Sequence, residues 1–133
     1  LKYNSFEDMP VWKKAMDLAT KIFNLTSRLP KKEDYSLTSQ IRRSALSVSG
    51  NIAEGFGRKH TKDKLNFYYD ARGSLSETKS HLIYGKNVDY FTALEFNEGN
   101  ALIEDIWKEL NSLISSFNVS HIAAPAFTTF QYL

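Results

Sequence analysis

Apolar residues recur every three or four positions through most of this chain, the spacing that lines up one side of an α-helix. The clearest run lies between residues 41 and 59, where the repeating residues are Ile41, Ala45, Val48, Ile52 and Phe56. Roughly 200° round the same helix, at about 100° per residue, runs a polar line: Arg43, Ser47, Asn51, Glu54 and Arg58. The pattern therefore predicts a helix with one face in a core and a second, polar face turned toward a neighbouring helix or chain.

The same periodicity predicts four helices in all, at about residues 9–28, 36–56, 61–86 and 92–117, followed by an uncharged apolar tail at 118–133. The connections between the predicted helices are short, which favours antiparallel neighbours. We therefore expect one domain over residues 1–133: an all-α, up-down-up-down four-helix bundle.

Several local features fix the expected helix ends. Gly55 and Gly57 are predicted to end the second helix in a left-handed cap, and Thr61 to cap the third. Thr92 and Glu95 have the spacing of a capping box at the start of the fourth. Gly73 lies in the middle of the third helix, where glycine costs about 1 kcal/mol relative to alanine, so a close helix crossing is expected there. The expected apolar side of the first helix consists of Trp12, Ala15, Met16, Ala19, Ile22 and Phe23.

Three separated blocks carry a resemblance to a known family. They are FEDMPVWKKAMDLA at residues 6–19, SQIRRSALSVSGNIAEGFGR at 39–58 and ARGSLSETKSHL at 71–82. In this order they resemble the four-helix-bundle family of 23S rRNA intervening sequence proteins, over about residues 6–117. Ser49-Gly50 departs from the proline-containing step that is more usual in the family.

The resemblance implies an assembly more readily than an activity, because the family has no established activity. Its members, and the similar accessory proteins of diversity-generating retroelements, look like pentameric barrels. The resemblance thus implies a homo-oligomeric ring. In such a ring Arg43, Asn51, Glu54 and Glu77 are expected to pair subunits or to hold the second and third helices together.

Composition narrows the class of protein further. The 133 residues include no cysteine, so no disulfide framework or thiolate metal site is expected, and a cytoplasmic location is the natural expectation. The net charge of +2 conceals an asymmetry, since residues 1–64 carry thirteen basic and seven acidic side chains and residues 65–133 carry four and eight. Such an imbalance favours an anionic partner or head-to-tail attraction between subunits.

The basic residues cluster near the predicted junction of the second and third helices. The candidate contacts to RNA or DNA are Arg42, Arg58, Lys59, Lys62 and Lys64. Arg72, Lys79 and Lys86 recur every seven residues and are expected to extend this surface. No base-reading motif accompanies the charges, so binding is expected to be driven by phosphate contacts and to be sensitive to salt. The alternative is an ordinary solvated face with ion pairs inside the subunit.

The sequence contains no motif that points to an enzyme. There is no Gly-x-Ser-x-Gly elbow and no P-loop. Glu77 and His81 are four residues apart, but the two Glu-x-x-His copies of a di-iron bundle are missing. No catalytic residue, cofactor, metal, small-molecule substrate or membrane contact is therefore predicted. Two functions stay open: an oligomer that binds RNA or DNA, and a protein-interaction scaffold. The tail is expected to dock on a bundle or to be a disordered end.

Overall fold

A computed structural model describes residues 3–121, with side chains through residue 117. Four α-helices dominate this range, and it contains no β-strand: α1 (Pro10–Thr26), α2 (Leu37–Gly57), α3 (Thr61–Asn87) and α4 (Ala93–His121). Short 3₁₀ helices lie at Phe6–Asp8 and Lys31–Glu33. The predicted all-helical class with four helices is confirmed. Of the predicted tail, residues 118–121 continue α4, and residues 122–133 lie outside the described range.

One hydrophobic core joins the four helices. The predicted apolar line of α2 is buried within it, except that Phe56 is half-buried. Fully burying a side chain of this size contributes about 1.5–3 kcal/mol, so this one core holds the bundle together. The core residues without measurable exposure are Ala15, Leu18, Ile22, Ile41, Ala45, Val48, Ile52, Ala71, Leu75, Leu82, Ile106 and Leu110.

Ion pairs between α1 and α4 show that these two helices run antiparallel. Along α1, Lys14, Lys21 and Arg28 pair with Glu109, Glu98 and Glu95 of α4, in descending order. The first and last helices are therefore also neighbours, and α4 closes the bundle against α1.

Of the two predicted helix starts, that of α4 is confirmed and that of α3 is not. At α4 the Thr92 N–H donates to Glu95 Oε1 at 2.9 Å, and the Glu95 N–H donates to Thr92 Oγ1 at 3.1 Å, so the capping box is confirmed. A second box, between Ser5 and Asp8, precedes α1. The expectation for Thr61 was wrong: Thr61 is the first residue of α3, and His60 occupies the cap position without a side-chain bond.

The glycines near the end of α2 play a different part from the one expected. Neither has a positive φ, and α2 continues through Gly57, so the predicted left-handed cap is wrong. Gly55 is buried, and a Cβ there would lie 2.6 Å from Cε1 of Tyr68. The missing side chain lets the Tyr68 ring of α3 pack directly on the backbone of α2.

Gly73 was expected to mark a close helix crossing. This prediction was wrong, because no other helix of the same chain approaches Gly73 closely. A Cβ at Gly73 would meet nothing within 4 Å. The close approach on α3 is instead at Gly85, where a Cβ would lie 2.2 Å from Cε2 of Phe91. Asp89, with a φ of 65°, turns the chain there so that the N–H groups of Tyr90 and Phe91 donate to the Gly85 carbonyl.

No helix in the described range is long and apolar enough to cross a membrane.

Candidate interaction surfaces

The junction of α2 and α3 carries three of the predicted basic residues on its surface. Arg58 directly follows α2. It donates to Glu54 Oε2 at 2.9 Å and lies 4.7 Å from the centre of the Phe67 ring. Lys59 and Lys62 are exposed and form no ion pair with any residue of the described range. This group of Arg58, Lys59 and Lys62 is called the junction cluster below.

Lys64 has another role. Its Nζ donates to the Phe56 carbonyl at 2.8 Å and to the Gly55 carbonyl at 3.3 Å. These carbonyls belong to the last turn of α2, where a helix runs out of its own donors; the Gly55 carbonyl also accepts from the Arg58 N–H at 3.2 Å. Desolvation by burial lowers the pKa of Lys64. Lys64 thus completes the end of α2 and is turned away from the junction cluster.

Arg42 also serves the bundle. Its Nε donates to Thr26 Oγ1 at 2.7 Å and its terminal nitrogen donates to the Phe23 carbonyl at 3.3 Å. The guanidinium lies 4.4 Å from the centre of the Phe23 ring. Arg42 therefore ties α2 to the end of α1, and the structure reduces the predicted basic surface to the junction cluster.

The basic residues repeated every seven positions along α3 do not extend that cluster, because they face α4. Arg72 donates to Asn111 Oδ1 at 2.9 Å, Lys79 pairs with Glu104 at 2.6 Å, and Lys86 lies 5.4 Å from the centre of the Phe96 ring.

Ion pairs within the chain also explain the charge asymmetry. Each acidic residue of α4 has a basic partner. Lys14 pairs with both Asp105 and Glu109, and the other three pairs are Lys21–Glu98, Arg28–Glu95 and Lys79–Glu104. The hydrogen bonds to Asp105 and Glu109 raise the pKa of Lys14. The acidic residues of α4 are thus matched against bases of the same chain.

The predicted polar stripe makes local bonds in the described range. Arg43 donates to Gln40, and Asn51 Nδ2 donates to the Ser47 carbonyl at 2.9 Å. Glu54 pairs with Arg58, and Glu77 lies 3.3 Å from His81. Each of these bonds stays inside one helix, so none of them holds α2 to α3. The expectation that these residues pair subunits stays a prediction.

Besides the bonds of Lys64, α2 and α3 share a polar contact between two smaller side chains that were not predicted as a pair. Thr78 Oγ1 lies 2.9 Å from Ser44 Oγ, and both side chains are buried. Helical spacing places Ser44 beside the apolar line of α2, but the partner from α3 depends on the register of two packed helices.

An apolar groove between α1 and α2 was missed. Its volume is about 400 Å³, and it is lined by Met16, Ala19, Thr20, Phe23, Arg42 and Leu46; we call it the α1–α2 groove. Phe23, expected in the core, is 55% exposed, and Leu46 is 59% exposed. The signal in the sequence was the unusual width of the apolar side of α1, which is more than one core contact can cover.

The family model of the 23S rRNA-intervening sequence protein matches residues 7–112. The chain belongs to this family. The predicted resemblance is confirmed.

The fold of this 23S rRNA-intervening sequence protein is similar to that of a solved structure from Bacteroides thetaiotaomicron. That structure is a protein of unknown function from the S23 ribosomal protein family, 24% identical in sequence, with a TM-score of 0.71. The similarity covers 78% of this chain and 97% of the other, and at this identity it shows the fold alone. No curated protein matches the sequence.

The described part of this family member contains no group of three or more His, Cys, Asp or Glu side chains placed to hold a metal ion. Glu77 and His81 form an exposed pair one helical turn apart, without a third ligand beside them.

Proposed function

We propose that this chain is a non-enzymatic helical scaffold that binds copies of itself through the α1–α2 groove. The observation that carries the proposal is the exposure of Phe23 and Leu46 side by side in that groove. A contiguous apolar surface rimmed by polar residues is typical of a protein interface. Scattered single apolar residues would not carry this argument, because they are normal on any surface.

Self-association has a clear energetic basis at this surface. Side chains such as leucine and phenylalanine contribute about 1.5–3 kcal/mol each when they pass from water to full burial. A ring would bury the groove once per subunit, and the resemblance to pentameric barrels favours five copies. The lack of cysteine in the sequence favours a cytoplasmic location.

Light scattering tests the proposal by the mass of the particle. The wild-type chain is expected at a multiple of 15.2 kDa, and Leu46→Asp is expected to shift it to the mass of one chain. The matched control is Leu94→Asp, because Leu94 is 67% exposed at the start of α4 and outside the groove. A wild-type particle of a single chain, or an unchanged mass for Leu46→Asp, would contradict the proposal.

A second candidate function rests on the junction cluster. Lys59 and Lys62 are exposed cations on neighbouring turns beside Arg58, and in an oligomer this group is repeated in every subunit. Phosphate contacts of this kind release counterions, so any affinity for RNA or DNA should fall steeply as salt is raised.

Binding to RNA and DNA across a salt series tests this second candidate. The double variant Lys59→Glu with Lys62→Glu is expected to abolish binding. The control, Lys31→Glu with Lys32→Glu, makes the same change of charge in an exposed turn at the opposite end of the bundle. Equal loss in both variants would show an effect of net charge alone, and no wild-type binding at low salt would reject the candidate.

A further inference from the structure

The α1–α2 groove has only one sign of charge. Arg42 is the charged residue of its lining, and Arg43 follows it on the exposed side of α2. If two copies met groove to groove, the arginines of both would approach each other, and like charges at an interface are unfavourable. The surface that covers the groove should therefore be partly apolar and carry acidic residues.

The outer side of α3 has these properties. At about 100° per residue it presents one exposed face, which we call the α3 outer face: Tyr69, Asp70, Gly73, Glu77, Ser80 and Tyr84. Tyr69 and Tyr84 are 40% and 51% exposed, and Asp70 and Glu77 supply the charge. The nearby bases Arg72 and Lys79 are turned toward α4 and bonded there. The face is thus apolar at both ends and acidic along one edge.

Gly73 supports contact with another helix at this face. It is exposed in the middle of α3, with nothing within 4 Å of the position a Cβ would take. A glycine there costs about 1 kcal/mol relative to alanine, and no packing inside the subunit makes use of the missing side chain. A helix of another copy can approach closely at this point.

We propose that the α3 outer face of one copy packs on the α1–α2 groove of the next. Tyr69 and Tyr84 contribute apolar surface to the groove, and Asp70 and Glu77 lie against Arg43. The contact joins two different surfaces, so each copy offers one of each, and the arrangement is head to tail. This inference rests on the proposed function, because it names the partner surface of the same groove.

Charge reversal on the two surfaces tests the pairing by light scattering. Asp70→Lys with Glu77→Lys is expected to reduce the particle to one chain, and so is Arg43→Glu. Combining Asp70→Lys, Glu77→Lys and Arg43→Glu in one chain is expected to restore the wild-type mass, since opposite charges then meet at every contact. The control, Asp17→Lys with Asp34→Lys, makes the same change of charge at exposed positions outside both surfaces. Circular dichroism should show unchanged helix content, because every altered residue is exposed.

The outcomes separate the two proposals. If Leu46→Asp dissociates the particle but Asp70→Lys with Glu77→Lys keeps the wild-type mass, the proposed role of the α3 outer face is contradicted. The proposal for the α1–α2 groove is then kept. If the two charge variants dissociate and the chain that combines all three changes also stays at the mass of one chain, the pairing of these charges is overturned. If Leu46→Asp leaves the mass unchanged, the proposal that copies bind through the α1–α2 groove is contradicted.

Discussion

Thr78 of α3 and Ser44 of α2 form a hydroxyl pair, with 2.9 Å between their oxygens, inside an otherwise apolar layer. Each also reaches a carbonyl of its own helix, Thr78 that of Ser74 at 2.9 Å and Ser44 that of Ile41 at 3.2 Å. Each hydroxyl has one hydrogen, which leaves two arrangements. Either Thr78 donates to Ser44 and Ser44 to the Ile41 carbonyl, or Ser44 donates to Thr78 and Thr78 to the Ser74 carbonyl. In either direction both hydroxyl groups are satisfied.

Thr78→Val keeps the shape of this side chain and removes its hydroxyl. We expect the free energy of unfolding to fall by about 0.5–1.5 kcal/mol, the net contribution of one hydrogen bond. Ser44→Ala should cost less in the Thr78→Val background than in the wild type, because the bond to Thr78 has already gone and the bond to the Ile41 carbonyl is what remains to be lost. Urea unfolding of the two single variants and the double variant measures the coupling. Thr61→Val, at the exposed first residue of α3, is the control, and full additivity would contradict a direct bond.

Lys64→Met removes the donor that covers the end of α2 and keeps most of the apolar stem. The carbonyls of Gly55 and Phe56 lose their bond to the Nζ. Hydrogen bonds to a charged group are worth about 1.5–3 kcal/mol, and the free energy of unfolding should fall by that order. Lys62→Met, at an exposed position two residues earlier, should change it by less than about 0.5 kcal/mol. Equal effects in the two variants would mean that Lys64 does not support α2.

Glu33 links two connections at one end of the bundle, and this link should be lost in acid. Its carboxylate accepts from the Tyr90 hydroxyl at 2.9 Å and from the Leu37 N–H at 3.2 Å. These bonds lower the pKa of Glu33 below its ordinary value of 4.5, the Tyr90 bond most. A lowered pKa in the folded state contributes stability that is present above pH 4.5 and lost as the pH falls through the folded-state pKa.

Urea unfolding of Glu33→Gln and the wild type, measured between pH 6 and pH 3, checks this. The wild type should be the more stable at pH 6, and the difference should shrink as the pH falls below 4.5, because Glu33 is protonated in the unfolded chain before it is protonated in the folded one. Tyr90→Phe should weaken the same pH dependence, because it removes the largest cause of the shift. A constant difference across the range would contradict the assignment.

Two glycines of α3 should respond to alanine in opposite directions. Gly85→Ala places a Cβ against the buried Phe91 ring, and overpacking of this kind costs about 1–3 kcal/mol. Gly73→Ala meets open space and should stabilise the helix by about 1 kcal/mol. Melting curves of both variants should be recorded in the Leu46→Asp background, because contacts between copies are expected to be absent there. An increase in stability at both sites would show that helix propensity alone decides.

Helical periodicity predicted the four elements because a core face must recur every three or four residues, whatever its partner. Cap spacing predicted the start of α4 because the bonds of a capping box are local to residues 92–95. The predictions for Gly55 and Gly73 failed for one shared reason. A glycine in a helix is equally consistent with a cap, a close approach or an open surface, and the choice depends on which side chain of another helix faces it.

The sequence by itself determined the helical class, the family and the approximate limits of α1 to α4, since these depend on local spacing and on motifs within single helices. Only the tertiary structure decided which charges are at the surface. Arg42 and Lys64 look like Lys59 and Lys62 in the sequence, yet two of these four side chains reach carbonyls of the bundle and two lie in water. The reason is that a charged side chain is free to bind another molecule only where the packed helices place no hydrogen-bond partner within about 3 Å of it.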